Sequence, residues 1–93
     1  MGDEMVKELR YNVGNFLVTT KLKKKASLII IDTIDVVQIS SEQGAVNMRD
    51  VVTFDSVLDT IKKFLKDSEV EYNKIRYGFK ARRFVTEQLG VNA

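Results

Sequence analysis

Alternating apolar and polar residues fill most of the first half of the chain and predict β-strands. In residues 8–13, Leu9, Tyr11 and Val13 share one face, and polar residues take the other. Gly14-Asn15 follows, and residues 16–23 alternate in turn. A two-residue loop containing glycine is typical of a tight hairpin, because glycine adopts a positive φ without strain. The pattern therefore predicts a β-hairpin over residues 8–23.

Two further strands are predicted beyond this hairpin. Lys23-Lys24-Lys25 is interpreted as an exposed turn. Residues 28–39 are rich in β-branched residues, have no helical period and are apolar on both faces. We therefore expect a strand covered on both sides, with a bend near Asp32 to Asp35. After a turn at residues 40–44, residues 45–54 alternate again and predict a fourth strand.

A single amphipathic helix is predicted next, over about residues 55–67. Asp55 is a suitable N-cap, since its carboxylate can accept a hydrogen bond from a free backbone N–H of the first turn. Apolar residues then recur with helical spacing and form one broad stripe. The members of the stripe are Val57, Leu58, Ile61, Phe64 and Leu65.

The last quarter of the chain supports two interpretations. Ser68 with Glu71 resembles a capping box and favours a helix. The alternation of Ile75 and Tyr77 with basic residues instead favours a strand with one basic face. We favour a helix interrupted near Gly78. The resulting prediction is an α+β fold, with a four-stranded antiparallel sheet followed by a helix. Residues 1–67 form its core, and residues 68–93 form a basic, helical C-terminal extension of the same domain.

Composition excludes the commonest kinds of catalytic site. The 93 residues include no His and no Cys, so nucleophile pairs that use a histidine base, thiolate chemistry and the usual zinc sites are ruled out. Asp32 and Asp35 are the best carboxylate pair, but on a straight strand they lie on opposite faces and converge only if a bulge intervenes. We expect no enzyme activity, metal, cofactor or small-molecule substrate.

The chain has no run of apolar residues long enough to span a membrane and no signal peptide, so we expect a cytoplasmic protein, in the host cytoplasm if it is viral.

Charge is segregated along the chain, although the net charge is only +2. Clustered lysines and arginines suggest a surface for a polyanion, and aromatic rings beside them suggest stacking of unpaired bases. The alternative is that the lysines form an ordinary solvated loop. Tyr11 shares a face with Leu9 and Val13, which favours core packing, and Phe16 is compatible with either role. The candidate cations are Arg10, Lys21, Lys23, Lys24, Lys25 and Arg49.

The layout of residues 7–66 resembles the positive-cofactor-four family of transcriptional coactivators. The matching parts are Lys7 to Val13, a short turn, Phe16 to Lys23, two further strands, and Val52-Thr53-Phe54-Asp55 leading directly into the helix. The resemblance implies a homodimer that binds single-stranded DNA on its sheets. It also implies DNA contacts from Asn15, Phe16, Thr19, Lys21 and Lys23, and a dimer contact through Leu58, Ile61 and Leu65 of the helix.

The leading hypothesis is therefore a dimeric protein that binds single-stranded DNA in replication, recombination or transcription regulation. The alternative is an assembly or adaptor protein without a nucleic-acid role. It would bind a protein partner through its apolar third strand and its C-terminal extension. Because a chain of this length buries only about 60–65% of its unfolded surface, we expect an oligomer in either case.

Overall fold

The computed structural model describes residues 5–39 and 48–90. It is an α+β fold with a four-stranded sheet in the order β1-β2-β3-β4 and with helices after the third and fourth strands. The strands are β1 (Met5–Val13), β2 (Phe16–Lys25), β3 (Leu28–Gln38) and β4 (Lys74–Tyr77). The helices are α1 (Met48–Val51), α2 (Phe54–Asp67) and α3 (Phe79–Gln88).

The predicted hairpin is confirmed, and its strands extend further than the pattern indicated. β1 and β2 are antiparallel, with Val13 opposite Phe16 across the Gly14-Asn15 loop. Gly14 has a φ of 58°, the conformation that favours glycine at this position. β2 continues to Lys25, so the lysine run lies in the strand. The turn follows at residues 26–27, where Ala26 has a φ of 52°.

A β-bulge divides the third strand. Lys21 lies opposite Thr33, but its neighbour Leu22 lies opposite Ile31, which leaves Asp32 as the extra residue. The bulge shifts the alternation by one position. As a result Ile29 and Ile31 before it, and Ile34 after it, are all buried on the same face. The bulge lies where the bend near Asp32 was predicted. Within the described part of the chain, the buried residues of β3 all lie on one face and the other face is exposed or half-buried, so the expectation of two covered faces was wrong.

The predicted fourth strand at residues 45–54 was wrong over the part that the structure describes. Met48–Val51 is a short helix, and the Val52 N–H donates to the Met48 carbonyl at 2.7 Å. The alternation that predicted the strand is interrupted at Asp50. On a strand this acidic residue would share a face with Met48 and Val52. Met48 and Val52 are four residues apart and share one side of a helical turn. Residues 45–47 lie outside the described residues.

Helix α2 confirms the predicted helix and begins one residue earlier. Thr53, not Asp55, is its N-cap: the Ser56 N–H donates to the Thr53 hydroxyl at 3.1 Å, and the Thr53 N–H donates to the Ser56 hydroxyl at 3.2 Å. This reciprocal pair is a capping box, and it satisfies two backbone donors that the helix itself leaves free. Ser68 ends the helix and does not start another, so the predicted helix from Ser68 was wrong.

The strand interpretation of residues 74–77 is the correct one. β4 pairs with β3 in parallel, with Ile75 opposite Ile29 and Tyr77 opposite Ile31. The sheet is therefore mixed, and the connection from β3 to β4 runs through α1 and α2. The Gly78 N–H donates to the Ile31 carbonyl at 2.8 Å, and α3 then packs beside the rest of β3. This helix confirms the helical part of the predicted C-terminal extension.

The two faces of the sheet differ in burial. The covered face packs under α2, as the ring contact between Phe54 and Tyr77 at 5.6 Å illustrates. α3 adds Ala81, Val85 and Leu89 to the same core, so the C-terminal segment belongs to the domain. The residues of the open face whose burial the structure describes are exposed or half-buried. The buried sheet residues of the covered face are Phe16, Val18, Thr20, Leu22, Ile29, Ile31 and Ile34.

Candidate nucleic-acid interface

Four cations stand at one end of the open face, and we call them the basic band. The strand register places them in two rows across the sheet, with one cation from β2 and one from β4 in each row. Lys25 and Lys74 flank Leu28 in one row, and Lys23 and Arg76 flank Ile30 in the next. The two aliphatic side chains are half-buried, and the cations around them are exposed or half-buried. The basic band consists of Lys23, Lys25, Lys74 and Arg76.

Two hydrogen bonds tie the β2–β3 turn to the start of β4 beside this band. The Asn73 N–H donates to the Ser27 carbonyl at 2.8 Å, and the Asn73 side-chain amide donates to the Ser27 hydroxyl at 3.2 Å. These contacts join segments that are 46 residues apart in the sequence. They help to hold Lys25 of β2 and Lys74 of β4 on the same surface, on either side of β3.

Acidic and basic side chains are mixed in the middle of the open face. The Arg10 guanidinium donates to the Glu8 carboxylate at 3.1 Å, and Lys23 Nζ lies 3.8 Å from Asp32 Oδ1. Asp32 and Asp35 both lie on the open face, because the bulge shifts the alternation between them. On a straight strand they would lie on opposite faces. Both ion pairs are exposed to solvent, so each contributes little to stability.

The other end of the open face is apolar. Leu17 lies opposite Val37, and the Val37 side chain is 57% exposed. Ile39, just beyond the strand, is 58% exposed. Phe79, at the start of α3, is 80% exposed, which is unusual for a phenylalanine. We call Leu17, Val37 and Ile39 the apolar end.

The candidate residues from the sequence are only partly brought together. Arg10, Thr19, Lys21, Lys23 and Lys25 all lie on the open face. Asn15 lies in the hairpin loop, at the far end from the basic band. Lys24 alternates onto the other face. Arg49 lies in α1 and not on a fourth strand, so it cannot join the lysines as a strand neighbour.

Phe16 is not a base-stacking platform, because its side chain is 5% exposed and belongs to the core. Tyr11 is half-buried on the covered face, as the core-packing interpretation expected. Sequence reasoning omitted Lys74 and Arg76 from the site. The signal for them was the alternation of residues 74–77, which places both on one strand face.

The helix residues that were expected to form the dimer contact are largely buried within the single chain. Ile61 and Leu65 have no exposed surface, and Leu58 is half-buried. Their neighbours are the covered face of their own sheet, so Ile61 and Leu65 are not available to a second copy. This corrects the helix contact that the family resemblance implied.

A groove of about 350 Å³ lies between α2 and β4 on the covered side. Leu58, Ile75 and the rings of Tyr72 and Tyr77 form its apolar part, and Lys62 lies at its border. Lys74 contributes to this groove and also to the basic band, since β4 is the outermost strand there.

Among the described residues, the buried hydroxyls of Tyr11, Thr20 and Tyr77 have no hydrogen-bond partner. Burial raises the pKa of the Tyr77 phenol to about 12, and the negative charge of Asp55 and the nearby Tyr11 add to the rise. Burial also raises the pKa of Tyr11, an effect that the neighbouring Thr20 hydroxyl opposes without reaching hydrogen-bond geometry. These groups belong to the core and not to the open face.

Within residues 5–39 and 48–90, acidic side chains do not gather in a group of three or more that could hold a metal ion. None of the helices in these ranges combines the length and the apolar character that crossing a membrane requires. Comparisons of the chain with protein-family models, curated proteins and solved structures found no match. The order of elements also departs from the layout that suggested the coactivator family, since the strand after β3 follows the helix and is parallel.

Proposed function

We propose that this chain binds single-stranded nucleic acid through the basic band and acts without catalysis. Such a protein would serve replication, recombination or transcription regulation in the cytoplasm. The observation that carries the proposal is the placement of Lys23, Lys25, Lys74 and Arg76 around two half-buried aliphatic side chains on an open sheet face.

The spacing of the band suits a flexible polyanion. Side chains two positions apart on a strand are about 6.8 Å apart, and neighbouring strands are about 4.8 Å apart. Lys23 and Lys25 are therefore separated by about 7 Å, and Lys25 and Lys74 by about 10 Å, across Leu28. Phosphates can contact the outer cations while a base lies over the aliphatic centre.

Electrostatic attraction carries most of the binding in this proposal, because the rings of Tyr11 and Phe16 lie on the covered face. Releasing counterions from a single strand gives a slope of log K against log salt of about −0.7 per phosphate neutralised. Four cations then give a slope of about −3 for each copy of the chain.

Fluorescence anisotropy with a labelled oligothymidylate tests the proposal. The expected result is binding at about 50 mM salt that weakens steeply as salt is added. Lys25→Glu with Lys74→Glu should abolish binding, whereas Asp32→Asn, which removes an acid beside Lys23, should tighten it. The matched control is Lys63→Glu with Lys66→Glu, which makes the same change of charge on exposed residues of α2. Equal weakening by the two double variants, or no binding by the native chain, refutes the role of the band.

The apolar end favours a second candidate, an adaptor that binds a protein partner. Val37 and Ile39 are exposed next to Leu17, and such side chains are commonly covered in a complex. In this case one defined protein should co-purify with the chain. It should be lost with Val37→Glu and retained with Lys25→Glu plus Lys74→Glu. The reverse result would favour the basic band.

A further inference from the structure

The outer edge of β1 is unpaired within the described part of the chain. β2 pairs with one side of β1 along all nine residues, from Met5 to Val13. The opposite edge of the sheet differs, because β4 is short and α3 packs beside the remainder of β3. A long unpaired strand presents a row of free N–H and C=O groups, which is a template for another strand.

The hairpin determines which residues of β1 direct these groups outward. In a two-residue hairpin the closing pair, here Val13 and Phe16, exchanges backbone hydrogen bonds. Bonded pairs then alternate along an antiparallel ladder, so Tyr11 and Leu9 also bond to β2. The backbone groups of Glu8, Arg10 and Asn12 therefore point to the outer side.

One antiparallel register satisfies the backbone and the charges together. A two-fold axis through Leu9, the middle residue of the strand, pairs β1 with a second β1 along its full length. Glu8 then lies opposite Arg10 of the second copy, and these are residues whose backbone groups point outward. Both side chains lie on the open face and already bond within one chain at 3.1 Å, with the Arg10 side chain 67% exposed. Four charges would alternate in sign around the axis.

Other registers lose one of these features. An axis through Glu8 or Arg10 places like charges directly opposite each other, which is destabilising. An axis through Lys7 or Tyr11 keeps the backbone pattern but leaves four residues of each strand unpaired and separates Glu8 from Arg10. The charge pattern of β1 is thus complementary to itself in the register with the greatest overlap.

We propose that two copies of this chain dimerise by antiparallel pairing of β1 about Leu9, which joins their sheets into one of eight strands. The axis is perpendicular to the sheet, so both open faces lie on the same side, with their basic bands diagonally opposed. This interface replaces the helix contact that burial of Ile61 and Leu65 excludes. The inference does not depend on nucleic-acid binding, and its test contains no oligonucleotide.

Sedimentation velocity of the full chain with charge-reversal variants provides the test. The native chain should sediment as a dimer, twice the 10.6 kDa of one copy. Glu8→Arg and Arg10→Glu each place like charges across the axis and should raise the dissociation constant by about tenfold or more. The double variant carrying both changes restores opposite charges and should dimerise again. An equimolar mixture of the two single variants should also dimerise, because each complements the other.

Lys25→Glu is the control, since it reverses one exposed charge away from β1 and should leave the dimer intact. Rescue in the double variant and in the mixture separates loss of pairing from loss of folding. A native chain that remains monomeric at about 100 μM overturns the proposal and indicates that the charges of β1 protect the edge. A dimer that persists in both single variants overturns it as well, because the contact must then lie elsewhere.

Discussion

Successive residues of β2 lie in opposite environments on the two faces of one sheet. Val18, Thr20 and Leu22 have no exposed surface, whereas Lys21 and Lys25 between and beyond them are exposed. The covered face supplies most of the apolar burial that stabilises the fold. The open face contributes little burial, so its residues are under weaker packing constraints and are available for binding.

β3 maintains this separation in spite of its sequence. Its apolar residues occupy both odd and even positions, and a straight strand would divide them between the faces. The bulge at Asp32 returns Ile34 to the covered face together with Ile29 and Ile31. The same shift moves Asp35 to the open face, where Asp32 also lies. One extra residue in β3 therefore determines that its core residues lie on one face of the sheet and its acidic residues on the other.

The largest effect should come from truncating matched isoleucines on the two sides of this comparison. Ile61→Ala removes a fully buried side chain of α2 and should lower the free energy of unfolding by about 2–5 kcal/mol. Ile30→Ala acts on a half-buried side chain of the open face and should cost about 1 kcal/mol or less. Urea denaturation measures both. Equal losses would mean that the open face is buried in solution, for example by another part of the chain or by a second copy.

A smaller effect of opposite sign is expected from a pair of threonines. Thr20→Val removes a fully buried hydroxyl without a partner and keeps the shape of the side chain, so it should stabilise the fold by roughly 1 kcal/mol. Thr33→Val, on the open face, should change stability by less than about 0.5 kcal/mol. Urea denaturation again gives the answer. A destabilised Thr20→Val variant would show that this hydroxyl does bond, with the neighbouring Tyr11 phenol as the first candidate.

Local pattern predicted the hairpin, the third strand and α2, because alternation and helical spacing are properties of neighbouring residues. It failed at residues 48–54, where the gap at Asp50 and the capping box of Thr53 and Ser56 both indicated helix. It also could not establish that β4 is parallel, because that depends on the connection through α2. The strand lysines were predictable, but Lys74 and Arg76 join them only through pairing between segments distant in the sequence.

The smallest expected effect is a pH dependence of stability that arises from the Tyr77 hydroxyl on the covered face. The phenol has a pKa of about 12 in the folded chain against 10.0 ordinarily, so the folded state holds this proton more tightly than the unfolded state does. The resulting contribution to stability is complete below pH 10.0 and is lost as pH rises through about 12. Because Tyr77 is only half-buried, we expect a modest decline in the denaturation midpoint over this window. Tyr77→Phe should remove that part of the decline and leave the part due to Tyr11, whose pKa is also raised. If the variant and the native chain lose stability in parallel, the Tyr77 phenol is hydrated in solution, and α2 does not seal this part of the covered face.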